Sequence, residues 1–235
     1  MTGLVSSRLS FVSDPADDAN KRAKLGHSVR ARLQGNPKAE NLGGQKVDMF
    51  LVPDFFTAAE CARLVKVIDG KIGPSTLFKG TETDGFRTSS THHFDGGDPP
   101  VRVLEQRIDS LLGLDHQFAE TTQGQRYLEG QQFKHHYDYF FTSEPYWQQE
   151  RRRGGQRTWT AMLFLNQPDE GGATDWPELG LSVPPQTGAL LTWNNMDVDG
   201  RPNRNTLHAG TPVTKGAKYV VTQWYRQNPW SLALQ

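Results

Sequence analysis

The spacing of hydrophobic residues changes along this chain, from a helical period in the first half to short alternating segments after Leu114. Thr57 and Glu60 have the spacing of a capping box and predict the start of an apolar helix. A second helix is predicted to begin at Pro99 and Pro100. Its expected buried face consists of Val101, Val103, Leu104, Ile108 and Leu111. The first half of the chain therefore predicts helices that pack through one apolar face.

The second half of the chain consists of short β-forming segments separated by turns rich in Gly, Pro and Asn. The first segment begins near residue 119, and the last, KYVVTQWYR, covers residues 218–226. Many short strands joined by such turns are typical of a β-sandwich or a jelly-roll barrel. We therefore expect a mainly β fold with supporting helices.

Residues 1–45 differ from the rest of the chain because they are polar and mixed in charge. Asp14 and Pro15 predict a helix start, and Gly, Pro and Asn residues end the helical pattern after residue 34. We interpret residues 1–45 as an N-terminal extension that is partly helical or flexible. Residues 46–235 are then expected to form one folded domain.

The balance of charges and the cysteine count narrow the classes of partner. The chain has 26 Lys and Arg residues against 26 Asp and Glu residues, so its formal net charge is zero. This balance does not favour nucleic acid or an anionic membrane as a partner. Cys61 is the only cysteine, which excludes an intrachain disulfide or a cysteine-based zinc site and favours a reducing compartment. Because no apolar segment has membrane-spanning length, we expect a soluble cytoplasmic protein.

Three residues in the second half form a candidate metal site. His136 and Asp138 have His-x-Asp spacing, and His208 follows further along the chain. Two histidines and one carboxylate are the facial triad that holds Fe(II) in non-haem oxygenases and leaves other coordination positions open. If this segment forms a strand, His136 and Asp138 share one face, whereas His135 and Tyr137 face the other way. The alternative for each histidine is a hydrogen-bonded structural side chain.

A second His-x-Asp pair, His93 and Asp95, competes for the same interpretation. It runs into the sequence GGDPP, which predicts a flexible loop and an accidental match. We therefore assign no metal to this pair.

Lys218 begins the last predicted strand, in which alternation puts Lys218, Trp224 and Arg226 on one face. An inward lysine would bury an ammonium group, which is costly unless an anion contacts it. A substrate carboxylate would supply that anion. The alternative is an exposed lysine on an edge strand.

At these residues the chain resembles the prolyl 4-hydroxylase group of Fe(II)/2-oxoglutarate oxygenases, from roughly Val47 to Trp230. The resemblance depends on the order and spacing of short motifs, each of which is weak by itself. They are FFTAAEC at residues 55–61, Arg87-Thr88-Ser89, Tyr127-x-x-Gly130-Gln131-x-Phe133-x-x-His136-x-Asp138, Arg157-x-x-Thr160, Phe164-Leu165-Asn166, Gly171-Gly172-x-Thr174-x-Trp176-Pro177, Gly188 and Leu207-His208-x-Gly210-x-Pro212-Val213-x-x-Gly216-x-Lys218. The family implies a double-stranded β-helix, the cupin-like jelly-roll, with helices on one side.

The resemblance also implies roles for the candidate residues. His136, Asp138 and His208 would bind Fe(II) and form the catalytic centre. Lys218 would pair with the distal carboxylate of 2-oxoglutarate. The hydroxyl groups of two further residues, Tyr127 and Thr174, would hydrogen-bond the same cosubstrate.

Three residues are candidates for substrate contact. Arg157 matches a substrate-side arginine of the family, and Trp224 and Arg226 lie on the expected inward face of the last strand. Arg226 stands where some relatives have a second substrate-side histidine, which puts peptide recognition at this position in question. Two segments resemble covers of the pocket: residues 81–98 as a mobile lid, and residues 141–156 as a second loop.

The implied reaction is hydroxylation of a prolyl residue in a peptide or protein, with 2-oxoglutarate converted to succinate and CO2. Fe(II), 2-oxoglutarate and O2 are the expected cofactors, with ascorbate as an expected auxiliary reductant. One alternative is the same chemistry on a free amino acid or another small molecule. A different class is a non-catalytic binding module on a jelly-roll scaffold, because a fold does not fix a function. A nucleic-acid demethylase is the weakest alternative, because the chain has no net basic charge.

Overall fold

The computed structural model describes residues 15–76, 85–94 and 97–230. Within these ranges the chain forms four α-helices and three short 3-10 helices. The α-helices are α1 Pro15–Gln34, α2 Ala58–Gly70, α3 Pro99–Leu112 and α4 Trp147–Arg152. The 3-10 helices are His116–Phe118, Pro177–Leu179 and Arg204–Thr206. Both helices predicted from the apolar pattern, α2 and α3, are confirmed.

The described residues also form fourteen strands. They are β1 Glu40–Asn41, β2 Met49–Val52, β3 Gly73–Pro74, β4 Ser90–His93, β5 Gln123–Tyr127, β6 Phe133–His136, β7 Arg157–Phe164, β8 Glu170–Gly171, β9 Thr174–Trp176, β10 Leu181–Val183, β11 Leu190–Asn194, β12 His208–Gly210, β13 Val213–Lys215 and β14 Lys218–Arg226. Eight strands form a main sheet in the order β1-β2-β11-β7-β14-β5-β4-β3. Four strands form a smaller sheet, β10-β9-β12-β6, and β8 pairs with β13.

The main sheet has a hydrophobic core on each face. On one face, Trp159, Ala161 and Leu163 of β7 pack in the same cluster as apolar residues of α1, α2 and α3. On the other face, Phe164 of β7 packs in a cluster with Trp176 of β9, which belongs to the smaller sheet. Two facing sheets with helices outside one of them confirm the predicted mainly β, jelly-roll fold.

Strand β14 crosses the centre of the main sheet, where it pairs with β7 and β5. Its alternation is the predicted one, because Val220 lies in the core between the sheets and Val221 in the core under the helices. Lys218 is 3% exposed, so the alternative of an exposed edge-strand lysine is wrong. A central strand has ladders on both sides and therefore directs alternate side chains into two different interiors.

Helix α2 begins with the predicted capping box. The Glu60 backbone N–H donates to Thr57 Oγ1 at 3.2 Å, and the Thr57 backbone N–H donates to Glu60 Oε2 at 2.9 Å. Arg107 of α3 donates to Glu60 Oε1 at 2.7 Å, so the same carboxylate also joins the two helices. The cap contributes about 1 kcal/mol to the stability of α2.

Helix α3 has the predicted position, but one residue of its predicted buried face is wrong. Val103 is 41% exposed, whereas Val101, Leu104, Ile108 and Leu112 are buried. The buried residues are separated by three or four positions, so they form one stripe along the helix. Val103 lies outside that stripe and faces solvent.

Helix α1 forms within the segment that we interpreted as an extension. Its Val29 and Leu33 are buried in the core under the main sheet. Arg30 forms an ion pair with Asp48, with 2.5 Å between Nε and Oδ1. The domain boundary at residue 45 stays a prediction, but this helix shares a core with residues beyond it.

Part of the segment predicted as a lid, residues 81–98, is a strand. Ser90–His93 is β4 of the main sheet and pairs with β5 along its length. The prediction that His93 lies in a flexible loop is therefore wrong; its partner in the motif, Asp95, lies outside the described residues. Among the described helices, none combines the length and apolar character that crossing a membrane requires.

Candidate metal and cosubstrate site

His136 and His208 are brought together by strand pairing. His136 is the last residue of β6, His208 is the first residue of β12, and the two are direct partners in the antiparallel ladder. The prediction that Asp138 belongs to the same strand as His136 is wrong. The ladder ends at the His136–His208 pair, so residue 138 has no partner on β12 and lies in a bend instead.

The bend nevertheless directs the Asp138 carboxylate toward both histidines. Asp138 Oδ1 lies 3.9 Å from His136 Nε2, and Asp138 Oδ2 lies 3.9 Å from His208 Nε2. These distances are longer than a hydrogen bond. They are suited to one divalent ion that contacts the histidine nitrogen and the carboxylate oxygen of each pair at about 2.1 Å, the distance typical of zinc ligands. Across the described ranges, no other group of three His, Cys, Asp or Glu residues has ligand atoms this close together.

Both histidines are oriented by their own backbone. His136 Nδ1 lies 2.8 Å from the carbonyl of Lys134, and His208 Nδ1 lies 2.9 Å from the carbonyl of Thr206. A carbonyl only accepts, so each Nδ1 carries the proton and each Nε2 keeps its lone pair. Burial, with a second contribution from His208, lowers the pKa of His136 to about 3, so this ring is neutral at physiological pH. The site has the donor set and tautomers that metal binding requires.

His135, in contrast, turns away from the site. Its side chain is 52% exposed, and its Nε2 lies 3.8 Å from Asp175 Oδ2. The alternation argument that selected His136 over its neighbour is therefore confirmed.

Asp138, the third candidate ligand, is held by a buried polar chain from the main sheet. Thr160 Oγ1 donates to Asp138 Oδ2 at 2.7 Å, and Asn195 Nδ2 donates to Thr160 Oγ1 at 2.9 Å. Asn195 in turn accepts from Trp193 Nε1 at 3.1 Å. This chain fixes the carboxylate orientation, the usual function of groups that bond to metal ligands.

Aromatic rings enclose the histidines. Phe133 stacks on His136 with 3.6 Å between ring centroids, and Trp176 stacks on His208 at 5.6 Å. Trp193 meets His208 edge-on at 5.1 Å. The rings hold each imidazole in place and exclude water around it.

Lys218 is a buried cation with few polar contacts. Its Nζ donates to Thr174 Oγ1 at 3.4 Å and lies 5.6 Å from the ring centroids of Tyr127 and Phe164. Burial lowers its pKa from 10.5 to about 7. Among the described residues no carboxylate forms a salt bridge with this ammonium, so a bound anion would relieve the cost of burying it.

The predicted cosubstrate residues therefore lie together. Lys218 and Tyr127 are direct partners in the β14–β5 ladder, and Thr174 reaches Lys218 from β9 of the opposite sheet. All three side chains are buried. A dicarboxylate reaching this point from the metal would find the Lys218 ammonium and the hydroxyl groups of Thr174 and Tyr127. The roles assigned to these residues stay predictions.

The substrate-side candidates border a large cavity. His136 and Asp138 line it together with Arg157, Trp224 and Arg226, and its volume is about 1370 Å³. Lys218, Tyr127 and Thr174 do not border this cavity and lie deeper, between the sheets. Two of the candidate metal ligands thus border the open cavity, whereas the candidate cosubstrate residues are buried away from it.

The three substrate-side candidates differ in how the protein holds them. Trp224 Nε1 is buried and has no hydrogen-bond partner among the described residues. Arg157 contacts the Trp224 ring at 4.1 Å and donates to both carboxylate oxygens of Glu120, at 2.6 and 2.7 Å. Arg226 is 2% exposed and forms ion pairs with Glu120 and Glu150.

Sequence reasoning missed the two buried glutamates, Glu120 and Glu150. The sequence offered only an indirect signal. Arg157 and Arg226 lie at the ends of central strands, and a buried arginine requires a buried anion as its partner. That argument predicts that acidic partners exist. It does not select Glu120 and Glu150 from the 26 acidic residues, because both come from loops and short helices.

The fold and the donor set define a class. A jelly-roll with two histidines and one aspartate, followed by a buried lysine, is the arrangement of an Fe(II)-dependent oxygenase that uses 2-oxoglutarate. Residues 122–226 match the family model described as the 2OG-Fe(II) oxygenase superfamily. The matched range contains all three candidate ligands as well as Lys218.

The relatives narrow this class to a family. The chain is 30% identical to probable prolyl 4-hydroxylase 10 of Arabidopsis thaliana, an alignment covering 97% of this chain and 89% of the relative. It is 28% identical to a putative prolyl 4-hydroxylase of Acanthamoeba polyphaga mimivirus, covering 77% of this chain and 75% of the relative. Among solved structures, it is similar to the viral collagen prolyl hydroxylase of Paramecium Bursaria Chlorella virus-1 in its 2OG complex. That match has a TM-score of 0.60 and 26% identity, and covers 78% of this chain and 97% of the other.

The chain therefore belongs to the prolyl 4-hydroxylase family of 2-oxoglutarate-dependent dioxygenases. Its cofactors are Fe(II), 2-oxoglutarate and O2.

Proposed function

We propose that this protein hydroxylates a prolyl residue within a peptide or protein and converts 2-oxoglutarate to succinate and CO2 in the same reaction. The observation that carries the proposal is the triad, two of whose residues border the large cavity, together with the buried Lys218, which does not border it. The Arabidopsis relative is named a probable prolyl 4-hydroxylase and the viral structure a collagen prolyl hydroxylase. Those names support a prolyl substrate for this chain.

The candidate residues form two groups, one for the metal and one for the cosubstrate. His136, Asp138 and His208 would hold Fe(II), and Lys218, Thr174 and Tyr127 would hold the distal carboxylate of 2-oxoglutarate. When bound, iron and 2-oxoglutarate would activate O2, with one oxygen atom entering succinate and the other hydroxylating an unactivated C–H bond.

The protein fixes the orientation of the groups around that chemistry. The Nδ1–H groups of His136 and His208 stay on backbone carbonyls, so both Nε2 atoms remain available. Phe133 and Trp176 cover the imidazole rings and keep bulk water away from the ligands. Preorganised groups of this kind position the reaction without having to rearrange during it.

The cavity favours a peptide over a single amino acid. Its volume of about 1370 Å³ exceeds the roughly 300–1,000 Å³ of pockets for drug-sized ligands. Trp224 Nε1 is a buried donor bordering the cavity, and a peptide carbonyl would satisfy it. Arg157 lies against the same indole ring. Donors at the cavity wall suit a ligand rich in carbonyl acceptors.

The test compares proline-rich peptides with free proline as substrates of the Fe(II)-loaded protein. The readouts are succinate release and a gain of one oxygen atom in the mass of the peptide. His136→Ala should abolish both signals, whereas His27→Ala, which changes an exposed histidine of α1 outside the cavity lining, should retain them. Oxidised free proline with unchanged peptides would establish the small-molecule alternative. Tight binding of Fe(II) and 2-oxoglutarate with no product from any substrate would support a binding module instead.

Two further predictions accompany the proposal. Ascorbate is proposed as an auxiliary reductant, which predicts that it prolongs turnover when added to the purified protein.

A reducing cytoplasmic location is supported by the single Cys61. Cell fractionation with a tagged chain tests the location.

A further inference from the structure

Four charged side chains form a continuous buried chain at the mouth of the cavity. Glu120 lies between two arginines, because Arg157 donates to both of its oxygens and Arg226 Nε donates to Oε1 at 2.5 Å. Arg226 also donates from Nη2 to Glu150. The side chains of Arg226, Glu150 and Glu120 are 2%, 3% and 8% exposed. A buried network of this kind is stable only when every charge has a partner.

Arg226 is the member of the network that joins separate elements. It lies at the end of β14, Glu150 lies in α4, and Glu120 precedes β5. Its third nitrogen, Nη1, donates to the carbonyl of Gly155 at 2.5 Å. The guanidinium also lies over the Phe140 ring at 4.4 Å. Arg226 therefore holds both ends of the segment from residue 140 to residue 156.

The backbone of that segment is docked on the same strand end. The Gln227 N–H donates to the Gln156 carbonyl at 2.9 Å, and the Asn228 N–H donates to the Gly154 carbonyl at 3.0 Å. Gly154 has φ +128°, and a Cβ there would lie 3.1 Å from the Arg226 Cβ. The close approach and the left-handed conformation both require glycine. The segment packs directly on the stem of Arg226.

The ends of the segment are also joined to each other. The Gln156 side chain accepts from the Phe140 backbone N–H at 2.8 Å and donates to the Phe140 carbonyl at 2.7 Å. Phe140, Tyr146 and Glu150 from this segment line the cavity. The position of the segment therefore determines the shape of the cavity mouth.

We propose that Arg226 is a positioning residue that latches the 140–156 segment over the substrate cavity and, through Glu120, holds Arg157 in place to meet the substrate. The inference rests on the proposed function and deepens it: Arg226 contacts the loop, and Arg157 with Trp224 contacts the peptide. With only 2% of its surface exposed and an acceptor for each nitrogen, Arg226 presents almost no surface to a substrate. The latch thus occupies the position where the family resemblance led us to expect a substrate-side residue.

The test is a double-mutant cycle between Arg226 and Glu150 with two independent readouts. The first is peptide-dependent turnover separated into KM and kcat. The second is the rate of trypsin cleavage after Arg151 and Arg152, which lie in α4 itself. For Arg226→Gln we expect peptide KM to rise about tenfold and loop cleavage to accelerate about tenfold, with the Kd for 2-oxoglutarate unchanged. Glu150→Gln should reproduce both effects, and the double variant should be no worse than either single variant.

Two controls separate latching from general damage. Arg226→Lys keeps the charge and should restore part of the effect on KM and on cleavage, although lysine lacks the planar fork that joins two carboxylates. Arg30→Gln breaks the Arg30–Asp48 ion pair outside the cavity lining and should leave loop cleavage unchanged. If Arg226→Gln does not fold, Glu150→Gln tests the same contact from the other side.

A rise in peptide KM without faster cleavage, additive with Glu150→Gln, would overturn the latch and make Arg226 a direct substrate contact. A wild-type protein that hydroxylates no prolyl peptide would refute the proposed function alone. In that event the cleavage rates still decide the latch, because they require no substrate.

Discussion

The site has a deep end around Lys218 and a mouth around Arg226, and the buried cations at these two ends are compensated in opposite ways. At the deep end, Lys218 has a threonine hydroxyl and two aromatic rings around it, and its pKa is lowered to about 7 by burial. At the mouth, Arg226 is equally buried, but it is paired with two carboxylates of the protein. The Lys218 ammonium therefore lacks an anion among the described residues, whereas the charge of Arg226 is already compensated by the protein.

This difference teaches how to distinguish a ligand-binding charge from a structural one. A buried cation that lacks an anion destabilises the fold unless a ligand provides one. A buried cation with a full set of acceptors stabilises the arrangement around it and has little left to offer a ligand. Burial alone does not separate the two cases, since Lys218 and Arg226 are 3% and 2% exposed.

The largest effect is expected from a change to the metal ligands. Asp138→Asn replaces a charged ligand with a neutral amide, and kcat/KM should fall on the order of a thousandfold or more. Steady-state succinate formation and equilibrium dialysis with Fe(II) measure the loss. Asp175→Asn removes the acid beside His135, outside the triad, and should retain activity. Full activity of Asp138→Asn would exclude it as a ligand.

A smaller effect is expected from removing the charge at the deep end. Lys218→Met should raise the Kd for 2-oxoglutarate about a hundredfold, because the distal carboxylate loses its proposed ion-pair partner. Fe(II) affinity should not change. Isothermal titration calorimetry measures both constants, and Lys215→Met, which changes an exposed lysine of β13, is the matched control. Unchanged 2-oxoglutarate affinity in Lys218→Met would place the cosubstrate elsewhere.

Breaking the hydrogen-bonded chain that holds Asp138 should cause an intermediate loss of Fe(II) affinity. Thr160→Val keeps the shape of the side chain but removes its hydrogen bond to the ligand, and Fe(II) affinity should weaken about 10- to 100-fold. Thr158→Val also removes a buried hydroxyl from β7, one that donates to the Tyr225 carbonyl instead. The account predicts reduced metal affinity for the first variant only. Equal losses in both variants would indicate damage to the strand and not to the ligand.

The smallest expected effect is a pH dependence. Burial lowers the pKa of Lys218 to about 7 in the folded protein, so the ammonium predominates well below pH 7 and is progressively lost above it. Because 2-oxoglutarate binds the charged form, its affinity should be constant below pH 7 and fall by up to about tenfold per pH unit above it. Calorimetry in buffers of different ionisation enthalpy should show proton uptake on binding at pH 8. Lys218→Met should abolish the uptake, and uptake that persists in this variant would contradict the assignment.

Much of the deep end was predictable because strand alternation is a local property. The two-residue period selected His136 over His135 and put Lys218 on the inward face. The pairing of β6 with β12 then placed His136 directly beside His208. The error at Asp138 is a boundary error, since a ladder stops where the partner strand stops. The bend at residue 138 nevertheless directs the Asp138 carboxylate toward both histidines.

The mouth was less predictable because its contacts join residues distant in sequence. Arg226 meets Glu120 and Glu150 through the order of strands in the main sheet and the docking of α4, neither of which leaves a periodic pattern. The resemblance located Arg226 at a substrate-side position, but only the pairing shows that its charge is already satisfied. Similarly, strand β4 lies in a segment that the family resemblance led us to interpret as a lid.

The most direct test measures the free energy of unfolding of the metal-free protein for Lys218→Met and Arg226→Met side by side, by urea denaturation. The account predicts opposite signs. Lys218→Met should stabilise the fold on the order of 2 kcal/mol, because it removes an uncompensated buried amine. Arg226→Met should destabilise it by about 3–5 kcal/mol, because it leaves two buried carboxylates short of a partner. A destabilised Lys218→Met, or an Arg226→Met of unchanged stability, would contradict the distinction between a ligand-binding charge at Lys218 and a structural charge at Arg226.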